Sequence, residues 1–210
     1  MLDGKLQENS VLVFWIVIRA LYNIVPSIPY GNVVVMCLSA SQLLSSWIAA
    51  PPSQLNMSYA SFLNWQGGVN VSDLVLVKKH FISQPMGRHC FFIHPDSTCP
   101  EFLIQFFFDA LLRAFRLYLP LNILLLASSK NKSLLHFLEN IGRSCVFLSS
   151  YCTLAWLSAC FYYTFIPGVS RKSLLMHTWV SGLAVLFERK SRRTELAIYC
   201  LTYAMDSLYR

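Results

Sequence analysis

The chain has 210 residues, of which 55% are hydrophobic and only 13% charged, about half the charged share of an ordinary soluble domain. The few charges gather in short connectors and leave long apolar runs bare, a distribution that points to a bilayer and excludes a soluble catalytic domain with a hydrated surface. A net charge of +7 does not indicate a nucleic-acid partner: the aromatics lie inside the apolar runs, while Lys and Arg mark their ends, as cationic loops do when they flank membrane spans and attract anionic headgroups.

Residues 1–10 lack the basic start of a cleavable signal, so the apolar run at 11–25 reads as retained. That run predicts a helix with Ser10 as N-cap and Pro26 as its stop. It reaches about 22 Å, short of a roughly 30 Å hydrocarbon core. Residues 32–50 make a better span, closed by Pro51 and Pro52. Ser41, Ser45 and Ala49 recur there at four-residue spacing, either as a stripe for a close-packed neighbour or by chance in a Ser-rich helix. Residues 51–100 are the longest polar stretch. Within it, 59–65 predicts an amphipathic interfacial turn ended by Gly67 and Gly68. The 69–77 segment alternates weakly, as a strand-like or disordered connector would, and Lys78, Lys79 and Arg88 make the stretch basic.

Over 101–119, helical spacing places Glu101, Gln105, Asp109, Arg113 and Arg116 within one arc of about 120°, the rest being Phe, Leu, Ile, Ala and Tyr. Asp109 and Arg113 can pair at i,i+4, and Pro120 predicts a bend or break before the apolar 121–127 run. Either this amphipathic helix lies on the membrane surface, or it spans and turns its stripe toward other helices. If it spans, Lys and Arg divide evenly between the two faces; if it stays on the surface, the division is strongly asymmetric, as the positive-inside rule prefers. The surface placement is therefore the expectation.

Residues 145–166 form the clearest span, bounded by Arg143 and by Pro167 with Gly168, and carry Ala155 and Ala159 as a small packing pair. Two shorter helices, 173–187 and 194–209, are joined by the basic turn Glu188, Arg189, Lys190, Ser191, Arg192, Arg193, which predicts an antiparallel hairpin. Glu188 and Glu195 would pair with the arginines of that turn. Arg19 and Asp206 sit near predicted helix ends, where snorkelling to the headgroups is the simplest expectation. Residues 12–22 and 199–209 echo each other weakly, each ending in Leu-Tyr with a charge three residues before the Tyr.

His89, Cys90, His94 and Cys99 place four soft-metal ligands in one loop. The loop could hold a metal, form a Cys90–Cys99 disulfide or redox pair, or be a non-ligating loop in which Asp96 or Ser97 caps the next helix. The missing C-x₂-C and H-x₃-H doublets favour the last. Cys37, Cys145, Cys152, Cys160 and Cys200 lie in apolar segments and read as small buried hydrophobes. There is no G-x-S-x-G, no H-E-x-x-H and no phosphate-cradling loop; His136 and His177 are single residues on apolar helices. No enzymatic activity and no cofactor is expected. Asn56, Asn70 and Asn131 open glycosylation triplets, which matter only on a lumenal face.

Two stretches, HPDSTCPEFLIQFFFDALLRAFRLYLPLNILL and LFERKSRRTELAIYCLTYAMDSLYR, resemble the transmembrane protein 135 family across roughly residues 89–210. Glu188 to Arg193 is the most specific piece; Cys90, His94, Pro95 and Cys99 match the family's Cys/His-rich part. Residues 16–65, with the tail SYASFLNW, are similar to the end of a family repeat. The resemblance implies a chain carrying the end of one repeat and most of the next. It also implies a polytopic protein of peroxisomal and mitochondrial membranes, associated with mitochondrial dynamics and lipid metabolism, without an established enzymatic activity.

The expected fold is all-α: a polytopic membrane protein with about five spanning or half-spanning helices plus one amphipathic helix. Residues 1–68 would form a helix pair with an interfacial tail, 69–100 a polar Cys/His-containing loop, and 101–210 the amphipathic helix, spans and terminal hairpin. The expected function is that of a non-catalytic organelle-membrane protein whose partners are anionic headgroups and other proteins or a second copy, not nucleic acid. The alternatives are a lipid or metabolite transporter or pore component, with the stripe facing inward beside Arg19 or Asp206, and a metal- or redox-dependent membrane enzyme using the 89–99 loop.

Overall fold

The computed structural model describes residues 2–24, 28–83, 94–128, 134–165 and 171–210. They form α1 (Leu2–Ile24), α2 (Gly31–Ala49), a short 3₁₀ turn (Pro52–Gln54), α3 (Met57–Gln66), α4 (Val71–Ser83), α5 (Cys99–Ser128), α6 (Leu134–Phe165), α7 (Arg171–His177), a 3₁₀ segment (Thr178–Phe187) and α8 (Lys190–Tyr209). The fold is all-α, with no strand among the described residues.

The hub is α2. Met36, Ala40, Leu43, Leu44, Trp47 and Ile48 bury most of its circumference against α8, the 3₁₀ segment, α7 and α4, as expected of a helix apolar nearly all round. Trp47 meets Trp156 of α6 edge-on at 5.5 Å and ties the hub to the second half of the bundle. There, α5 and α6 run antiparallel along their length. His94, just before α5, reaches Cys160 near the end of α6; Phe102 and Phe106 meet Trp156; Tyr118 lies beside Cys145. Ala110 and Ala114 on α5, with Ala155 and Ala159 on α6, are fully buried and let backbones approach.

Among the described residues, two helices are long and apolar enough to cross a membrane, Gly31–Ala49 and Leu135–Phe161, and two shorter apolar stretches accompany them, Val11–Tyr22 and Leu174–Phe187. The 32 residues of α6 extend about 48 Å, longer than a hydrocarbon core of roughly 30 Å, and Glu139 and Arg143 lie in its N-terminal third.

Several expected local features differ. Ser10 does not cap α1, which begins at Leu2. Most of the 69–77 segment belongs to helix α4, which begins at Val71: Leu74 is buried, and Asp73 sits in the first turn, where a carboxylate favours the helix dipole. Pro120 does not break α5. It lies on an exposed face, where its ring meets no packed neighbour. The last two apolar segments do not pack as a hairpin. They touch little, and each lies instead against α2. Asp206 is not an end-of-helix snorkel: it is 1% exposed and accepts from Arg210 Nε at 2.7 Å.

The 3₁₀ segment is unusually long for that geometry. With three residues per turn, Thr178, Ser181 and Ala184 form one buried row and Gly182, Val185 and Glu188 the adjacent one, between α2 and α6. Gly182 explains the tight seat. A Cβ there would lie 2.8 Å from the Met36 carbonyl carbon and 2.6 Å from the Cys37 nitrogen, against unyielding backbone.

Candidate functional site

The stripe on α5 divides in two. Gln105, Asp109 and Arg116 are exposed along one edge. Arg113 reaches the C-terminus of α3, where its Nε donates to the Gln66 carbonyl at 3.1 Å and its guanidinium covers the Phe106 ring at 5.4 Å. In return, Gln66 Nε2 donates to the Ala110 carbonyl at 3.0 Å. The end of α3 is shaped for this. Gly68 takes φ +58°, and the Val69 and Gly68 amides donate back to Asn64 and Trp65, closing the helix with a left-handed glycine cap. A cation at these orphan carbonyls also meets the negative end of the helix dipole.

The basic turn is clasped to α6. Glu188 is 1% exposed and accepts from Ser144 Oγ at 2.9 Å, while Arg192 Nη1 donates to the same hydroxyl at 2.9 Å and stands 3.6 Å from the Glu188 carboxylate. Arg193 donates to the carbonyls of Glu188 and Leu186 at 2.9 and 2.7 Å. Arg189 and Arg143 converge on Glu139 of α6 at 2.8 and 3.0 Å. Lys190 is the turn's exposed cation without such a role among the described contacts. Glu195 does not join the turn's arginines; it pairs with Arg19 of α1. Sequence reasoning missed Glu139, Arg143 and Ser144, because only the packing of the turn on α6 brings them together.

At the opposite end of α6, the segment before α5 folds onto it. Thr98 is the N-cap of α5 and Glu101 its third residue, and the carboxylate accepts from the Thr98 amide at 3.0 Å and hydroxyl at 2.8 Å. Thr98, rather than Asp96 or Ser97, thus caps the helix. These two donors hold the Glu101 carboxyl below the ordinary glutamate value. The cap orients the preceding residues so that His94 stacks on Phe102 at 4.8 Å and is itself buried. Its Nε2 faces Cys99 Sγ at 3.4 Å and Cys160 Sγ at 3.9 Å, and its Nδ1 lies 2.9 Å from the Ser97 carbonyl. Of the four residues expected in this loop, His94 and Cys99 are brought together; His89 and Cys90 lie outside the described residues. Cys160 was read only as an apolar filler. Its signal lay in topology, since an antiparallel α5–α6 pair sets the start of one helix beside the end of the other.

A shallow cleft between α2, α3 and α4 is lined by Trp47, Pro51, Asn64, Leu74 and Lys78, and burial there pushes the Lys78 ammonium below its ordinary value. Comparison of the chain with family models, with curated proteins and with solved structures finds no match.

Proposed function

We propose that this chain is a non-catalytic multi-pass protein of the peroxisomal or mitochondrial membrane, of the kind its resemblance to the transmembrane protein 135 family implies. It would act on the bilayer and on protein partners, in processes such as mitochondrial dynamics and lipid metabolism. The carrying observation is the outer surface of α5, where Ile104, Phe108, Leu112 and Phe115 are 44–63% exposed along one side. Contiguous apolar surface of this kind is unfavourable in water and costs nothing in hydrocarbon. Leu12, Val13, Ile16 and Val17 extend the same character along α1.

The antiparallel seat of α5 along the apolar α6 supports a spanning α5 over a surface one. Gln105, Asp109 and Arg116 then border a lipid-facing arc. Hydrocarbon offers them no hydrogen bonds, so a partner helix or a second copy is the natural cover. A transporter would need the stripe to line one interior with Arg19 or Asp206. Instead Arg19 pairs with Glu195, Asp206 with Arg210, and Arg113 with Gln66.

The test is fractionation of cells expressing the tagged chain, followed by alkaline carbonate extraction. Retention in the membrane pellet with peroxisomal or mitochondrial markers is expected. Release into the supernatant, or retention in a different organelle, would count against the proposal.

A further inference from the structure

We propose that His94, Cys99 and Cys160 form a binding site for a thiophilic d¹⁰ cation, Zn²⁺ or Cu⁺, at the end of the α5–α6 pair. The three ligand atoms lie within 4.8 Å of one another and come from two separate elements, the turn that opens α5 and the last turns of α6. Two further observations make the site a built one.

The first is the imidazole's orientation. The Ser97 carbonyl can only accept, so the Nδ1 that it faces at 2.9 Å carries the proton. Nε2 is left with its lone pair directed at both sulfurs. Metal-binding histidines are set in this way, one nitrogen donating to a carbonyl and the other free to ligate. Stacking on Phe102 fixes the ring plane as well.

The second is spacing. With metal–sulfur and metal–nitrogen bonds of about 2.3 and 2.05 Å, a tetrahedral ion separates its S and N ligands by about 3.6 Å. The observed Sγ–Nε2 distances of 3.4 and 3.9 Å lie on either side of that value. One lone pair accepts well from only one S–H, whereas one ion satisfies two thiolates and an imidazole together. Two thiolates and one imidazole, with no carboxylate, select a soft ion over Mg²⁺ or Ca²⁺. Three protein ligands leave a fourth position for an external group on Zn²⁺, or complete a three-coordinate Cu⁺ site.

The site is independent of the proposed membrane function and is tested on the purified full-length chain in detergent, stripped with a chelator. Co²⁺ titration reports the zinc arm, and Cu⁺ titration against bicinchoninate the copper arm. Stoichiometric binding of one ion with thiolate-to-metal charge-transfer absorption is expected. Displacement of Co²⁺ by Zn²⁺ assigns zinc, and capture of Cu⁺ from the competitor assigns copper. Cys99→Ser and Cys160→Ser should each weaken binding by about 100-fold, at or beyond the upper end of what loss of a supporting contact costs. Cys145→Ser, on the same helix but outside the cluster, should bind as the unmutated chain does, with circular dichroism checking that each variant is folded. X-ray absorption on the unmutated loaded protein adds a reading free of folding effects: two sulfurs and at least one imidazole nitrogen are expected. An oxygen-only shell, no thiolate band with either ion, or a folded Cys160→Ser variant of unchanged affinity would each overturn the site.

Discussion

Five serine and threonine hydroxyls inside the apolar helices of this chain answer their own hydrogen-bond needs. Ser39, Ser149, Thr153, Ser158 and Thr202 each donate to the carbonyl four residues earlier, at 2.6–2.9 Å, so they are carried in a dry interior at little cost. Ser144 differs, because its hydroxyl serves the buried Glu188 carboxylate. Ser144→Ala should therefore cost about 1–3 kcal/mol by leaving a buried acceptor short of a donor, while Ser149→Ala should be near neutral; thermal unfolding in detergent compares the two, and equal melting temperatures would contradict the assignment. The Thr98–Glu101 cap carries a pH signature. Because the folded carboxyl sits below its ordinary value of 4.5, its stabilisation is present above the unfolded value and is lost as pH falls through the folded one. A carboxyl titration followed by NMR should give Glu101 a midpoint below that ordinary value, and Glu101→Gln should remove the acid-dependent fraying of α5. A midpoint at or above it would mean that the cap does not form.

At the scale of elements, the apolar runs that became α2 and α6 were readable because length and composition decide them locally. What could not be read was decided by neighbours. The 69–77 segment looked irregular from its alternation, but docking on α2 makes it helical. The 173–187 run was read as a helix ending in a hairpin, yet only a slim 3₁₀ rod fits between α2 and α6 at Gly182. Gly182→Ala should push the rod off the Met36–Cys37 backbone and destabilise the fold by about 1–3 kcal/mol, the usual range for overpacking. Gly142→Ala makes the control, since a Cβ there meets nothing within 4 Å; if both variants melt alike, the close approach carries no weight. The candidate metal centre was half legible for the same reason. His94 and Cys99 stand five residues apart in the sequence, whereas Cys160 joins them only through helix pairing.

At the scale of the whole molecule, the same pairing bears on the orientation of α5. Counting loop charges favoured a helix lying on the surface, because that sum treats every basic residue as a free cation near a headgroup. Arg143 and Arg189 instead share the Glu139 carboxylate, and Arg192 stands 3.6 Å from that of Glu188. Cations paired with a carboxylate inside the bundle weigh less in orienting it than free ones. A spanning α5 should also associate through its polar edge. Asp109→Cys in membranes is expected to give oxidant-dependent cross-linked species, to a second copy or to a partner, whereas Leu112→Cys should give few.

The most direct measurement is a depth profile along α5 in lipid nanodiscs, with single cysteines introduced at 104, 108, 112 and 115 and reacted with membrane-impermeant and lipid-soluble maleimides. A bilayer-spanning α5 predicts protection from both reagents, most completely at 108 and 112, because a thiol in hydrocarbon does not ionise to the reactive thiolate, with labelling recovered once the protein is denatured in SDS. Uniform, rapid labelling of all four by the impermeant reagent would place this apolar face in water and contradict the account.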